Sequence, residues 1–89
     1  MLVSPTAVEV RQIVHRIMQD LGVSQCEIDD ISETVRIEEG RCLARSYRAD
    51  GYLAMWLIDV GILQFYDKDG NMLRHANLFA EIEPRRIAA

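Results

Sequence analysis

This 89-residue sequence contains five glycines, and four of them fall at regular intervals from position 40 onward. Gly40, Gly51, Gly61 and Gly70 each close a four-residue segment with the composition of a turn: IEEG, RADG, IDVG and DKDG. The runs between the turns are rich in β-forming residues and cover 33–38, 41–48, 52–59, 62–67 and 71–78. Connections this short join antiparallel strands and are too short for parallel crossovers. The spacing therefore predicts a four- to five-stranded antiparallel β-meander.

The segment before the first predicted strand has the pattern of an amphipathic helix. Ser4 is a candidate N-cap, Pro5 suits the first helical position, and Gly22 is a candidate C-terminal cap. Apolar side chains recur between them at spacings of three and four, which creates one continuous face for burial. These residues are Val10, Ile13, Val14, Ile17, Met18 and Leu21.

Residues 24–33 indicate a short second helix, because Ser24 and Glu27 have the spacing of a capping box. Together the elements predict an α+β domain in which the N-terminal helix packs on the meander. A chain of 89 residues is the size of one domain. We assign that domain to residues 1–83 and predict that residues 84–89, which begin at Pro84, form a frayed C-terminal tail.

The composition indicates a soluble globular protein, with 49% hydrophobic and 27% charged residues. The longest apolar run, Tyr52 to Ile58, is far shorter than a membrane-spanning helix. The N-terminus has no secretory pattern, and Cys26 and Cys42 form no CxxC pair that would indicate redox chemistry. We therefore predict a cytoplasmic protein that has no membrane partner.

The stretch FYDKDGNML has some features of a calcium-binding loop. With Gly70 at the sixth position of an EF-hand loop, Asp67 and Asp69 fall on ligand positions. The first and twelfth positions hold Phe65 and Ala76, although the twelfth requires a bidentate glutamate. The flanking segments are β-prone, whereas an EF-hand has a helix on each side. We therefore predict a hairpin turn here, and no metal or other cofactor.

Recognisable catalytic motifs are absent from the sequence. It contains no GxSxG, HExxH, Walker-type phosphate loop or GxGxxG. His15 and His75 are far apart in the chain, and a nucleophilic pair with Cys26 or Cys42 would require a proximity that the sequence does not establish. We therefore predict that the protein is not an enzyme.

Residues 41–56, RCLARSYRADGYLAMW, interleave arginines with aromatic side chains. These residue types bind single-stranded nucleic acid on a sheet through phosphate contacts and base stacking. The net charge of −4 counts against such binding, because its affinity depends on the neutralisation of phosphates. A nucleic-acid-binding module with the basic patch Arg41, Arg45 and Arg48 is thus the alternative functional prediction.

The third predicted strand, YLAMWLI, is apolar on both faces. Tyr52, Ala54, Trp56 and Ile58 alternate with Leu53, Met55 and Leu57. An antiparallel strand with one face in water alternates between apolar and polar residues, so this strand is expected to be covered on both sides. The helix can cover one face. Curling into a small barrel, a second copy of the chain or a ligand would cover the other.

The favoured functional prediction is a small noncatalytic intracellular module for protein interaction or assembly. It would associate with itself, or with another protein, through the sheet. Because buried aromatic and apolar side chains dominate interface energies, the candidate interaction surface is Tyr52, Met55, Trp56 and Leu57. The sequence leaves open which of these four face the helix.

Overall fold

A computed structural model of the chain describes residues 5–81. Helix α1 spans Ala7–Asp20 and α2 spans Gln25–Asp29. Within the described residues five strands follow: β1 Ser32–Glu38, β2 Arg41–Ala49, β3 Tyr52–Leu57, β4 Ile62–Tyr66 and β5 Met72–Asn77. They form one sheet in the order β1-β2-β3-β4-β5, and neighbouring strands are antiparallel. The predicted α+β meander is confirmed, and the sheet stays open because its first and last strands do not pair in this part of the chain.

Helix α1 begins at a different cap from the one predicted. The Thr6 hydroxyl accepts a hydrogen bond of 3.2 Å from the backbone N–H of Glu9, and the Glu9 carboxylate accepts one of 3.0 Å from the N–H of Thr6. This capping box satisfies backbone donors that the helix itself cannot. Thr6 is therefore the N-cap in place of Ser4, which lies outside the described residues.

The end of α1 confirms the predicted role of Gly22. The Gly22 N–H donates to the carbonyl oxygen of Gln19 at 3.1 Å, and the Val23 N–H donates to that of Met18 at 3.0 Å. These two bonds form a Schellman motif, which ends the helix and satisfies its last carbonyl groups. Ser24 then caps α2, so the predicted second helix is present.

The β2–β3 connection shows how the turn sequences determine the strand pairing. Asp50 and Gly51 both have positive φ, at 50° and 80°, and the flanking residues Ala49 and Tyr52 are paired. Positive φ at both central positions is the geometry of a type I′ turn, and Asp-Gly is among the sequences that favour it. The RADG segment therefore sets the register of the two strands that carry most of the candidate residues.

The core lies between α1 and one face of the sheet. Helix α1 contributes Val10, Ile13, Val14, Ile17 and Met18. The largest contributions from the sheet are Tyr47, Trp56, Leu63 and Phe65. Ile28 of α2 is also fully buried in this cluster, so both helices cover the same face.

After β5 the chain turns into another helical segment, which covers the described residues 78–81. The Asn77 side-chain oxygen accepts a hydrogen bond of 3.0 Å from the N–H of Phe79 and so caps this segment. The sequence-based strand assignment ran to residue 78, whereas Leu78 is already helical and fully buried in the core. The predicted tail at 84–89 lies outside the described residues.

This last segment lies on the same side of the sheet as α1. Glu81 forms an ion pair of 2.8 Å with Arg16 of α1, and the Leu78 side chain belongs to the helix-facing core. Both helices and the last segment thus cover one face. Between residues 5 and 81, no element covers the opposite face, which we call the open face.

Candidate functional site

Side chains on the open face form three rows that cross the sheet. The strand register places one residue from each strand, in the order β1 to β5, in every row. The first row is Ser32, Arg48, Leu53, Tyr66 and Met72, and the middle row is Thr34, Ser46, Met55, Gln64 and His75. The third row is Arg36, Ala44, Leu57, Ile62 and Asn77. The two inner strands β3 and β4 supply most of the apolar members. We call Leu53, Met55, Leu57, Ile62 and Tyr66 the apolar patch.

The apolar patch is half-buried, unlike the side chains that alternate with it. Along β3 and β4 its members keep an intermediate exposure. Their neighbours Trp56, Leu63 and Phe65, which point toward α1, are 5%, 0% and 1% exposed. A strand places successive side chains on opposite faces, so this contrast shows that the helix covers only one of two apolar faces. The other face stays half exposed to solvent.

The structure divides the four candidate interaction residues between the two faces. Trp56 is buried in the core and Tyr52 packs against it, whereas Met55 and Leu57 belong to the apolar patch. The two aromatic residues therefore lie on the helix side of the sheet. The set proposed from the sequence also lacked Leu53, Ile62 and Tyr66, although their alternation with core residues in YLAMWLI and ILQFY was a usable signal.

The three arginines of the candidate basic patch are not brought together. Arg45 points to the helix side, where its guanidinium carbon lies 5.9 Å from the centre of the Trp56 ring, whereas Arg48 is on the open face. The β1–β2 register shifts at Arg36, so the alternation along β2 is broken before Arg41 is reached. Arg41 lies beside Asp59, at 3.4 Å.

Two of the three aromatic residues interleaved with these arginines are buried, and the third, Tyr52, is half-buried on the helix side of the sheet. Tyr47 is 1% exposed and Trp56 is 5% exposed. Stacking on a nucleobase requires an open ring face, which a core side chain does not offer. Tyr47 and Trp56 therefore cannot stack on a base, and the nucleic-acid alternative would depend on Tyr52 and the exposed arginines.

A polar cluster around Glu33 lies at the boundary between helix and sheet. Its carboxylate accepts two hydrogen bonds from Arg11, of 2.9 and 3.0 Å, and one of 3.2 Å from Arg45. The hydrogen bond from Arg11 is the main cause that lowers the pKa of Glu33. Burial, aided by the charge of Glu33, raises the pKa of Tyr47 to about 12. Both changes move the pKa of the group further from 7, so neither Glu33 nor Tyr47 is suited to proton transfer at neutral pH.

The lowered pKa of Glu33 predicts a loss of stability in acid. Its ion pairs stabilise the fold fully above the ordinary glutamate pKa, and this stabilisation is lost as the pH falls through the lower folded-state value. Glu33→Gln should therefore reduce the free energy of unfolding at neutral pH by about 1 kcal/mol and have a smaller effect at about pH 3. Urea unfolding at both pH values measures this difference.

Glu38→Gln is the matched control for that experiment. Glu38 pairs with Arg36 at 2.7 Å in the same strand, but their side chains are 54% and 70% exposed. Exposed ion pairs contribute little to stability, so this variant should behave like the parent protein at both pH values. Equal effects of the two substitutions would show that the Glu33 cluster has no special role.

The DKDG segment forms the predicted turn. One Asp67 carboxylate oxygen accepts hydrogen bonds of 2.9 Å from the N–H groups of Asp69 and Asn71, and the other accepts one of 3.2 Å from the Asn71 side chain. The backbone bond from Asn71 is the main cause that lowers the pKa of Asp67. This carboxylate is thus used to hold the turn. Across residues 5–81, no group of three or more His, Cys, Asp and Glu side chains could hold a metal ion.

The thiols and imidazoles do not form a nucleophilic pair in the described structure. Cys26 is exposed on α2, and the Cys42 thiol lies 4.0 Å from the carbonyl oxygen of Ala44. His15 is on α1, on one side of the sheet, and His75 is in a row of the open face, on the other. The structure therefore leaves the open face as the candidate functional site.

Comparison with known proteins assigns no family to this arrangement. No protein-family model matches the chain. No curated protein and no solved structure shows significant similarity to it. No helix in the described part of the chain is long and apolar enough to cross a membrane.

Proposed function

We propose that this protein is a small assembly module that pairs with a second copy of itself through the open face of its sheet. The observation that carries the proposal is the apolar patch, which the helices leave half exposed. Burial of apolar surface is favourable by about 25 cal/mol per Å². A contiguous apolar face is therefore a surface for association.

The size of the molecule supports a face-to-face pair. Its principal extents are 37, 37 and 22 Å, and the short dimension fits one sheet with one layer of helix. A stable interface needs about 800 Å² from each partner. The broad side of the molecule, which measures 37 by 37 Å, has an area larger than that requirement.

The pattern of the open face supports a second copy as the partner. In a two-fold symmetric dimer both chains contribute the same surface patch to the interface. A two-fold axis through the middle row would therefore place Met55 of one chain near Met55 of the other. Two sheets packed face to face lie about 10 Å apart with interdigitating side chains. Polar and charged residues, including Arg36, Arg48 and His75, would form a rim around the apolar centre.

Sedimentation equilibrium over a wide range of protein concentrations tests this proposal. The parent protein should approach twice the mass of one chain as its concentration rises. Leu57→Glu places a charge in the apolar patch and should weaken the association at least about 100-fold, because an unpaired buried charge is costly. Its circular dichroism spectrum should remain that of the parent protein.

Val8→Glu is the matched control. Val8 is an exposed apolar residue, 60% accessible, on α1 and away from the open face. This variant should associate like the parent protein, and added salt should not weaken its association because the contact is apolar. A parent protein that remains a single chain at every concentration would overturn the proposal.

A further inference from the structure

One end of the open face carries a concavity where the β2–β3 and β4–β5 turns approach each other. Its volume is about 290 Å³. Leu53 and Met55 of β3 and Tyr66 of β4 line it with apolar surface, and Arg48 of β2 and Lys68 of the β4–β5 turn line it with positive charge. The lining therefore combines an apolar floor with two cationic side chains.

Contact between the two turns defines this end of the sheet. A Cβ atom added at Gly51 would lie 3.2 Å from the Cβ of Lys68, so the β4–β5 turn passes directly beside the β2–β3 turn. Arg48 pairs with Leu53 across the neighbouring strands. The fold thereby brings two cations that are distant in sequence to one apolar concavity.

Both cations are available to a ligand. Arg48 and Lys68 are exposed and form no ion pair with any residue between 5 and 81. Asp67 also lines the concavity, where its carboxylate accepts hydrogen bonds from Asp69 and Asn71 and keeps its negative charge, so the two cations give the lining a net charge of +1. An incoming anion can therefore meet two unpaired donors.

We propose that this concavity, which we call the turn pocket, binds a small amphipathic carboxylate. The carboxylate group would receive hydrogen bonds from Arg48 and Lys68, and its apolar tail would lie on Leu53, Met55 and Tyr66. The volume is at the lower end of the range of about 300–1,000 Å³ found for ligand sites, so the ligand is small. One chain supplies every residue of the pocket. Because Leu53, Met55 and Tyr66 also belong to the apolar patch, ligand binding and the proposed self-association compete for these side chains, and octanoate binding is measured on dilute protein.

Titration with octanoate, followed by ¹H–¹⁵N NMR, tests the turn pocket. Octanoate should shift the amide signals of residues 48–53 and 66–70 and bind with a dissociation constant below about 1 mM. Octanol has a similar tail without the charge, and acetate has the charge without the tail, so each should bind at least about tenfold more weakly. Octanol binding as tightly as octanoate at the same residues would overturn the proposal.

Substitutions then test the two cations. Arg48→Gln and Lys68→Gln should each weaken octanoate binding by about tenfold, since each removes a charge-assisted hydrogen bond. Arg36→Gln is the control, because Arg36 lies in the row at the other end of the open face and should leave binding unchanged. Binding that is insensitive to both pocket variants would contradict the proposed site.

The Leu57→Glu variant separates this inference from the assembly role. Leu57 is outside the turn pocket, so the variant should retain octanoate binding while its self-association is weakened. Conversely, Lys68→Gln, in the β4–β5 turn outside the rows of the open face, should lose octanoate affinity and keep the sedimentation behaviour of the parent protein. Absence of octanoate binding in both the parent protein and Leu57→Glu would overturn the turn pocket and leave the self-association proposal standing.

Discussion

Replacement of Gly61 by alanine should lower the free energy of unfolding by about 2–4 kcal/mol, the sum of backbone strain and a steric clash. Gly61 has a φ of +65°, which side-chain-bearing residues rarely adopt, and an added Cβ would lie 2.6 Å from Cε2 of Phe79. The Leu78 N–H also donates to the Gly61 carbonyl oxygen at 2.8 Å. A shift of the residue 61 backbone away from Phe79 would disturb this hydrogen bond. For a domain of this size the melting temperature should fall by about 10–20 °C.

Gly70→Ala is the control that isolates the clash. Gly70 has a φ of +86°, but an added Cβ would meet nothing within 4 Å. Its substitution should therefore lower the free energy of unfolding only by the backbone strain of a positive φ, about 1–2 kcal/mol. A Phe79→Ala background should reduce the cost of Gly61→Ala but leave that of Gly70→Ala unchanged. Equal costs for the two glycines in the parent background would show that the close approach to Phe79 does not matter.

Truncation of Leu63 to alanine should lower the free energy of unfolding by about 2–5 kcal/mol. Leu63 is fully buried against α1 in the middle of the core, so the lost methyl groups would leave a cavity. Urea unfolding at low protein concentration, where the proposed self-association would be negligible, measures this loss of stability without a contribution from association.

Ile62→Ala provides a matched comparison in the same strand. Ile62 is adjacent to Leu63 and of the same size, but it points to the open face and is only half-buried. At low protein concentration its truncation should lower the free energy of unfolding by about 1 kcal/mol, because part of the Ile62 side chain is already exposed to water. At high concentration the cost should rise as the patch becomes buried between two chains. Equal costs at low concentration would mean that a single chain already covers both faces.

The arrangement of strands could be predicted from this sequence because turn chemistry repeats at short intervals. Segments such as RADG leave little freedom in loop length, so the strand boundaries and the antiparallel meander followed with few errors, whereas the strand order was left open. Gly22 likewise marked the end of α1 through a local backbone geometry. Each of these features depends on interactions between residues that are near one another in the chain.

The candidate site was harder to predict, because β3 is apolar on both faces and its own pattern does not say which face meets the helix. Neighbouring strands decide this: Gln64 and Ser46 lie on the open face, whereas Phe65 and Tyr47 lie in the core. The break in the β1–β2 register near Arg36 also interrupts the alternation of side chains between Arg41 and Arg45. No residue type in this segment predicts such a bulge.

Strand order equals chain order in this sheet, and this has a consequence for how the protein folds. Each strand pairs with the one that precedes it, so the hairpins can form in succession at a small cost in loop-closure entropy. The contacts that join distant parts of the chain are made by α1, as in the Arg16–Glu81 ion pair. We therefore expect the docking of α1 to convert a set of local hairpins into a cooperative unit that links the two ends of the described chain.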